Sequence, residues 1–112
     1  MDCIVCKIAA GEIPSTKVYE DDTVVAFNDL DPQAPVHVLI IPKEHIASAA
    51  EINESNSAVV AHIFEVAAKI AAEKGLKDGF RIVNNCGDSA GQSVKHLHFH
   101  LMGGRDFGWP AG

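Results

Sequence analysis

Between Val94 and Met102 the chain reads VKHLHFHLM, with His96, His98 and His100 at every second position and Leu97, Phe99 and Leu101 between them. A period of two belongs to a strand, where alternate side chains share a face and stand roughly 6–7 Å apart. Such a strand carries imidazoles on one face and apolar groups on the other. The apolar face has to be buried, so this strand needs partner strands beside it and a layer packed against it.

The rest of the chain supplies both. STKVYEDDTVVAFNDLDP predicts two short strands, near Lys17–Glu20 and Thr23–Asn28, with turn chemistry at Asp21–Asp22. PVHVLIIPKEH, bounded by Pro35 and Pro42, is a continuous apolar run that suits a central strand. GFRIVNN is a fourth strand and VKHLHFHLM the fifth. SAVVAHIFEVAAKIAAEKG predicts the main helix, with Val59, Ile63, Val66, Ala67 and Ile70 as its buried stripe. Glu65 and Lys69 are spaced for an i,i+4 pair, His62 falls on the polar side, and Gly75 suits a helix stop. One or two helical turns are expected around Cys3 and Cys6, and no regular structure in the tail GGRDFGWPAG. The pattern is an α+β fold, a mostly antiparallel five-stranded sheet with one main helix. The 112 residues fit one domain over positions 1–112, with a core modest enough that pairing of two copies is no surprise.

Charge and cysteines narrow the function. Net charge is −6 with Lys and Arg scattered, which argues against a nucleic-acid partner. A small phosphate ligand stays open, because backbone N–H groups, hydroxyls and imidazoles can hold one. The N-terminal stretch MDCIVCKIAAGEIP lacks a basic n-region and its apolar run is short, so neither a secretory signal nor a membrane partner is expected. Three cysteines, an odd number, argue for a reducing, cytoplasmic setting over a disulfide scaffold.

The histidine row allows three readings: polar residues on a solvent face, a metal site completed by a ligand such as His37, or nucleophilic catalysis without metal. The preceding loop NNCGDSAGQS favours an anion. Gly87 and Gly91 let backbone N–H groups approach a ligand, and Gln92 and Ser93 add neutral donors with no acidic cluster. Cys3-x-x-Cys6 is a separate feature. No strand precedes it, as a redox motif would require, and structural zinc needs two further ligands, for which histidines are available.

The stretch GQSVKHLHFHLMGGRDFGWP resembles the signature of the histidine triad (HIT) family, His-φ-His-φ-His-φ-φ with φ apolar, and the same order continues upstream in FNDLDPQAPVHVLIIPKEHI. The resemblance covers nearly the whole chain. The ending GGRDFGWPAG is similar to the Hint branch, the histidine triad nucleotide-binding proteins, and differs from the branch that cleaves dinucleoside polyphosphates.

The resemblance implies a two-fold homodimer that joins two sheets into one, and a purine nucleotide such as AMP or a nucleoside phosphoramidate as ligand. It implies that His98 attacks the α-phosphorus and forms a nucleotidyl-histidine that water hydrolyses, its other nitrogen held by the backbone carbonyl of His96. His100 matches the phosphate-contacting position and His37 the histidine beside the nucleophile. Ser93 matches the hydroxyl on the phosphate or leaving group, and Gln92 and Asn85 match polar contacts around phosphate and ribose. Asp29 matches the acceptor of the ribose hydroxyls, and Phe27 and Leu30 the walls of the base pocket. Trp109 would shape a pocket across the dimer interface.

Taken alone, Asp29 suits a turn, His37 a satisfied core histidine, Trp109 a core or lid residue, and Cys86 a small loop position. Some family members bind zinc through residues that match Cys3, Cys6, His45 and His96. That zinc would be structural, stapling the N-terminus and orienting His96. No organic cofactor is implied. The implied activity is cleavage of the P–N bond of purine nucleoside 5′-phosphoramidates. A dinucleoside polyphosphate hydrolase, a nucleotide-binding regulatory module and a zinc-dependent hydrolase are the alternatives.

Overall fold

The structure, a computed structural model, describes residues 3–112. Its elements run α1 (Ile4–Ala9), β1 (Lys17–Glu20), β2 (Val24–Asn28), β3 (Val36–Pro42), α2 (Ser57–Glu73), β4 (Phe80–Val83) and β5 (Phe99–Gly103), with short 3-10 turns at Ala49–Glu51 and Asp88–Ala90. The strands form one sheet in the order β1-β2-β3-β5-β4, with every neighbouring pair antiparallel. The expected α+β architecture is present, and the apolar run PVHVLIIP is the middle strand.

Strand alternation divides the core between the two faces of the sheet. Val24 and Ala26 of β2, Val38 and Ile40 of β3, and Phe99 and Leu101 of β5 pack with Ile63, Val66, Ala67 and Ile70 of α2. On the other face Val25, Phe27 and Ile41 pack with Cys3, Val5 and Ala9 of the α1 segment. That explains why β3 is apolar on both sides: it is covered by α2 on one face and by α1 on the other. Beside the α1 cluster, on the same face, lie His37 and His100.

Three details depart from the sequence expectation. The fifth strand begins at Phe99, not Val94. Its last pair with β3 is Ile40↔Phe99, and beyond it β3 runs into Pro42, which has no N–H to extend the ladder. The Leu97 N–H bonds the Ile46 carbonyl instead. In α2 the Glu65–Lys69 pair does not form: Glu65 bonds His62, and the Lys69 ammonium lies over the Tyr19 ring. His62 is half-buried and reaches Asp21 in the β1–β2 turn, so it ties the helix to the sheet. Gly75 ends the helix at φ +73° as expected.

Candidate active site and metal cluster

His37 and His100 are brought together by the register of β3 on β5, which sets Leu39 opposite His100 and His37 opposite Met102. His37 Nε2 lies 2.9 Å from His100 Nδ1. His98, just before β5, stands edge-on to His100 with ring centroids 5.2 Å apart. Its Nδ1 lies 2.7 Å from the His96 carbonyl. A carbonyl only accepts, so His98 Nδ1 carries the proton and Nε2 keeps its lone pair.

The same accounting sets the other rings. The Gln33 N–H donates to His37 Nδ1 at 3.0 Å, so neutral His37 is protonated at Nε2. His37 then donates to His100 Nδ1, and neutral His100 presents an Nε2–H. Burial holds the His100 imidazole below its ordinary value, and the neighbouring His98 and His37 rings further disfavour a charge on it.

Asp29 has two roles. Its Oδ1 accepts the Asp31 N–H at 2.8 Å, the turn role, while its Oδ2 stands 3.5 Å from His37 Nε2. Asp29, His37 and His100 could together hold an ion. The 2.9 Å N···N separation, however, is that of a shared proton.

His96 turns away from this group. Its Nε2 lies 2.9 Å from the Pro42 carbonyl and therefore bears the proton, which leaves the Nδ1 lone pair facing a second cluster. That Nδ1 is 3.4 Å from Cys3 Sγ, 3.2 Å from Cys6 Sγ and 3.2 Å from His45 Nδ1, and Cys6 Sγ is 3.2 Å from His45 Nδ1. Cys3 caps α1, accepting the Cys6 N–H on its sulfur, and the helical spacing of three brings both thiols to one side.

The donor set of two thiols and two imidazole nitrogens is that of a structural zinc site. Zinc–ligand bonds of about 2.3 Å to sulfur and 2.0 Å to nitrogen put tetrahedral nitrogen–nitrogen and sulfur–nitrogen neighbours roughly 3.3–3.5 Å apart, close to the separations here. The four residues fit a zinc ion. Burial, then the hydrogen bond and charge of Cys3, pushes the Cys6 thiol up to about 11, so the protein alone keeps it protonated and a metal has to displace that proton.

The remaining expected residues fall into distinct places. Ser93 is exposed and Asn85 half-buried, both in the loop between β4 and β5. Gln92 is buried and committed: its amide nitrogen donates to the carbonyls of Ala47 and Val94, and its oxygen accepts the Gly87 N–H. It shapes the loop and has no free N–H for a phosphate. Phe27 and Leu30 are not brought together, since Phe27 packs in the core under α1 and Leu30 is fully exposed. Trp109 is 87% exposed, so it is not a core residue of its own chain.

Three contributors carried no sequence signal. Asn84 Nδ2 donates to the His98 carbonyl at 2.9 Å, the Gln33 backbone reaches His37, and Arg105 Nε donates to the Gln33 carbonyl at 2.8 Å. Backbone partners and a neutral amide in an Asn-Asn pair leave no pattern to read.

The chain is similar to a histidine triad protein from Clostridium difficile (57% identity, TM-score 0.93, covering 96% of this chain and 95% of that one). It is also similar to a HIT family hydrolase from Legionella pneumophila (49%, TM-score 0.97, covering 99% and 100%). A histidine triad nucleotide-binding protein from Candida albicans is 37% identical with a TM-score of 0.83, covering 99% and 85%. A 14 kDa zinc-binding protein from Zea mays is 48% identical over 108 residues, 95% of this chain and 84% of that protein. The HIT domain model matches residues 10–107, a span that holds all three histidines of the row together with His37 and His45, and the chain belongs to the HIT family.

Proposed function

We propose that the protein is a nucleotide hydrolase that cleaves the P–N bond of purine nucleoside 5′-phosphoramidates, releasing the nucleoside monophosphate and an amine. One observation carries the reading: His98 has its Nδ1–H tied to the His96 carbonyl, leaving a free Nε2 beside the His37–His100 pair. A neutral imidazole in that state is a nucleophile in need of no further base. The similar proteins from Legionella and Candida, named as a hydrolase and as nucleotide-binding, support the class.

In this scheme His98 Nε2 forms a bond to the α-phosphorus as the P–N bond breaks. The departing nitrogen takes a proton delivered through the Ser93 hydroxyl and the neighbouring histidines. Water then attacks phosphorus, the P–Nε2 bond breaks, and the proton of the water restores the relay. The His100 Nε2–H supplies a donor already in place for the charged phosphate oxygen. Asp29 would receive the ribose hydroxyls, Asn85 would contact the phosphate or ribose, and the exposed Leu30 would border the base.

Cys3, Cys6, His45 and His96 would hold a structural zinc, which supplies a cross-link between α1 and the sheet. Three thiols outside any disulfide, Cys3, Cys6 and Cys86, suit the reducing cytoplasm expected from the cysteine count. A homodimer is the expected assembly. Strand β4 is a sheet edge with Phe80 exposed on it, and Trp109 stands free to reach a partner's site.

The test is hydrolysis of adenosine 5′-phosphoramidate by wild type and His98→Ala, each with and without chelator. AMP release that survives chelation and falls by at least about 10³-fold in the variant is expected. A diadenosine polyphosphate hydrolysed faster than the phosphoramidate would sink the substrate assignment. Loss of release on chelation, in protein that stays folded, would move metal into the chemistry.

A further inference from the structure

Arg105 belongs to the tail after β5, outside the histidine row, yet its guanidinium ends on the loop that supports His37. Its Nε donates to the Gln33 carbonyl at 2.8 Å, and its plane lies over the Phe107 ring, 4.3 Å from the centroid. Gln33 is thereby held at both backbone ends: its carbonyl by Arg105, and its N–H by His37 Nδ1 at 3.0 Å.

The tail and the loop also touch one residue earlier. Gly104 adopts φ +91°, and a Cβ there would come within 3.0 Å of Pro35. Val36 pairs with Gly103 in the ladder immediately beside this contact. The segment from Gln33 to the start of β3 is therefore clasped to the tail at three residues, Gln33, Pro35 and Val36.

What the clasp controls follows from hydrogen-bond polarity. If the Gln33 N–H leaves His37 Nδ1, only the Asp29 carboxylate, 3.5 Å from Nε2, still favours the Nε2–H form, and Nδ1 is open to the proton. His37 Nε2 would then be a lone pair facing His100 Nδ1. His100 would have to donate from Nδ1, and its outward Nε2 would lose its hydrogen. The donor aimed at the phosphate would become an acceptor.

We propose that Arg105 is a positioning residue of the histidine relay. Through Gln33 it keeps His37 in the Nε2–H form and His100 in the form that donates outward. The catalytic consequence rests on the hydrolase reading above; the tautomer itself does not.

The experiment compares wild type, Arg105→Gln and Arg105→Lys by 15N-detected imidazole NMR and by steady-state turnover of adenosine 5′-phosphoramidate. Wild-type His37 should show a bare Nδ1 and a protonated Nε2. Arg105→Gln should give a mixed His37 signal and a kcat about tenfold lower with KM little changed. Arg105→Lys, which keeps the charge and a donor, should recover part of both. A wild-type His37 pattern in Arg105→Gln overturns the proposal, as does a shifted tautomer with wild-type kcat. Should wild type not turn over this substrate, the hydrolase reading falls while the NMR comparison still decides whether Arg105 sets the tautomer.

Discussion

Each imidazole of the site carries its proton where a neighbouring group puts it. The carbonyl of His96 takes the His98 Nδ1–H, the carbonyl of Pro42 takes the His96 Nε2–H, and the Gln33 N–H occupies His37 Nδ1. These bonds leave lone pairs on His98 Nε2 and His96 Nδ1 and an N–H on His100 Nε2, which the proposed function uses as nucleophile, metal ligand and phosphate donor. Asn84 secures the backbone at His98, the proposed nucleophile, and Asn84→Ala removes its bond to the His98 carbonyl. The expected cost is about 1 kcal/mol of stability, read from urea unfolding, with a several-fold lower kcat and unchanged KM. The histidines were legible because their residue type is rare and regularly spaced. Asn84, Gln33 and Arg105 were not, because a main-chain partner is chosen by fold geometry and any sequence can supply it.

Among the elements, β5 carries most of the design. Its apolar positions Phe99 and Leu101 pack toward α2, while His100 between them faces the other side of the sheet. Leu101 is fully buried, opposite Val38 on one neighbour and Ile82 on the other. Leu101→Ala should cost about 2–5 kcal/mol, the usual range for a truncated buried leucine. It should appear as a lower urea midpoint at unchanged slope. The alternation of this segment was visible in the sequence, but its strand was drawn too long at the start. Side-chain periodicity persists through Leu97 because Leu97 still faces the core, although the backbone has left the ladder. The consequence is functional: released from the strand, His96 points its ring at the cysteines while its carbonyl still orients His98.

Across the whole molecule, two histidines oppose each other in their response to pH. Burial keeps His100 below its ordinary value, so the unfolded chain takes up the proton first on acidification. Stability should fall as pH drops below about 6.5 and level off once folded His100 is protonated. His62 is raised by its hydrogen bonds to Asp21 and Glu65. Its contribution is fully present below about pH 6.5 and is lost as pH climbs through the raised value. Urea midpoints measured over roughly pH 5–8 should therefore decline on both sides, and His62→Gln should abolish the alkaline decline while leaving the acid one. The sequence by itself determined the class of fold, the strand order along the chain, the buried stripe of α2 and the identity of the histidines, because periodicity and residue chemistry are local properties. Only the tertiary structure decided that His62 bridges helix and turn, that Gln92 is consumed inside its loop, and that Arg105 reaches the support of His37. Those outcomes depend on which strands pair, and in what register, between residues tens of positions apart, and no local pattern encodes that.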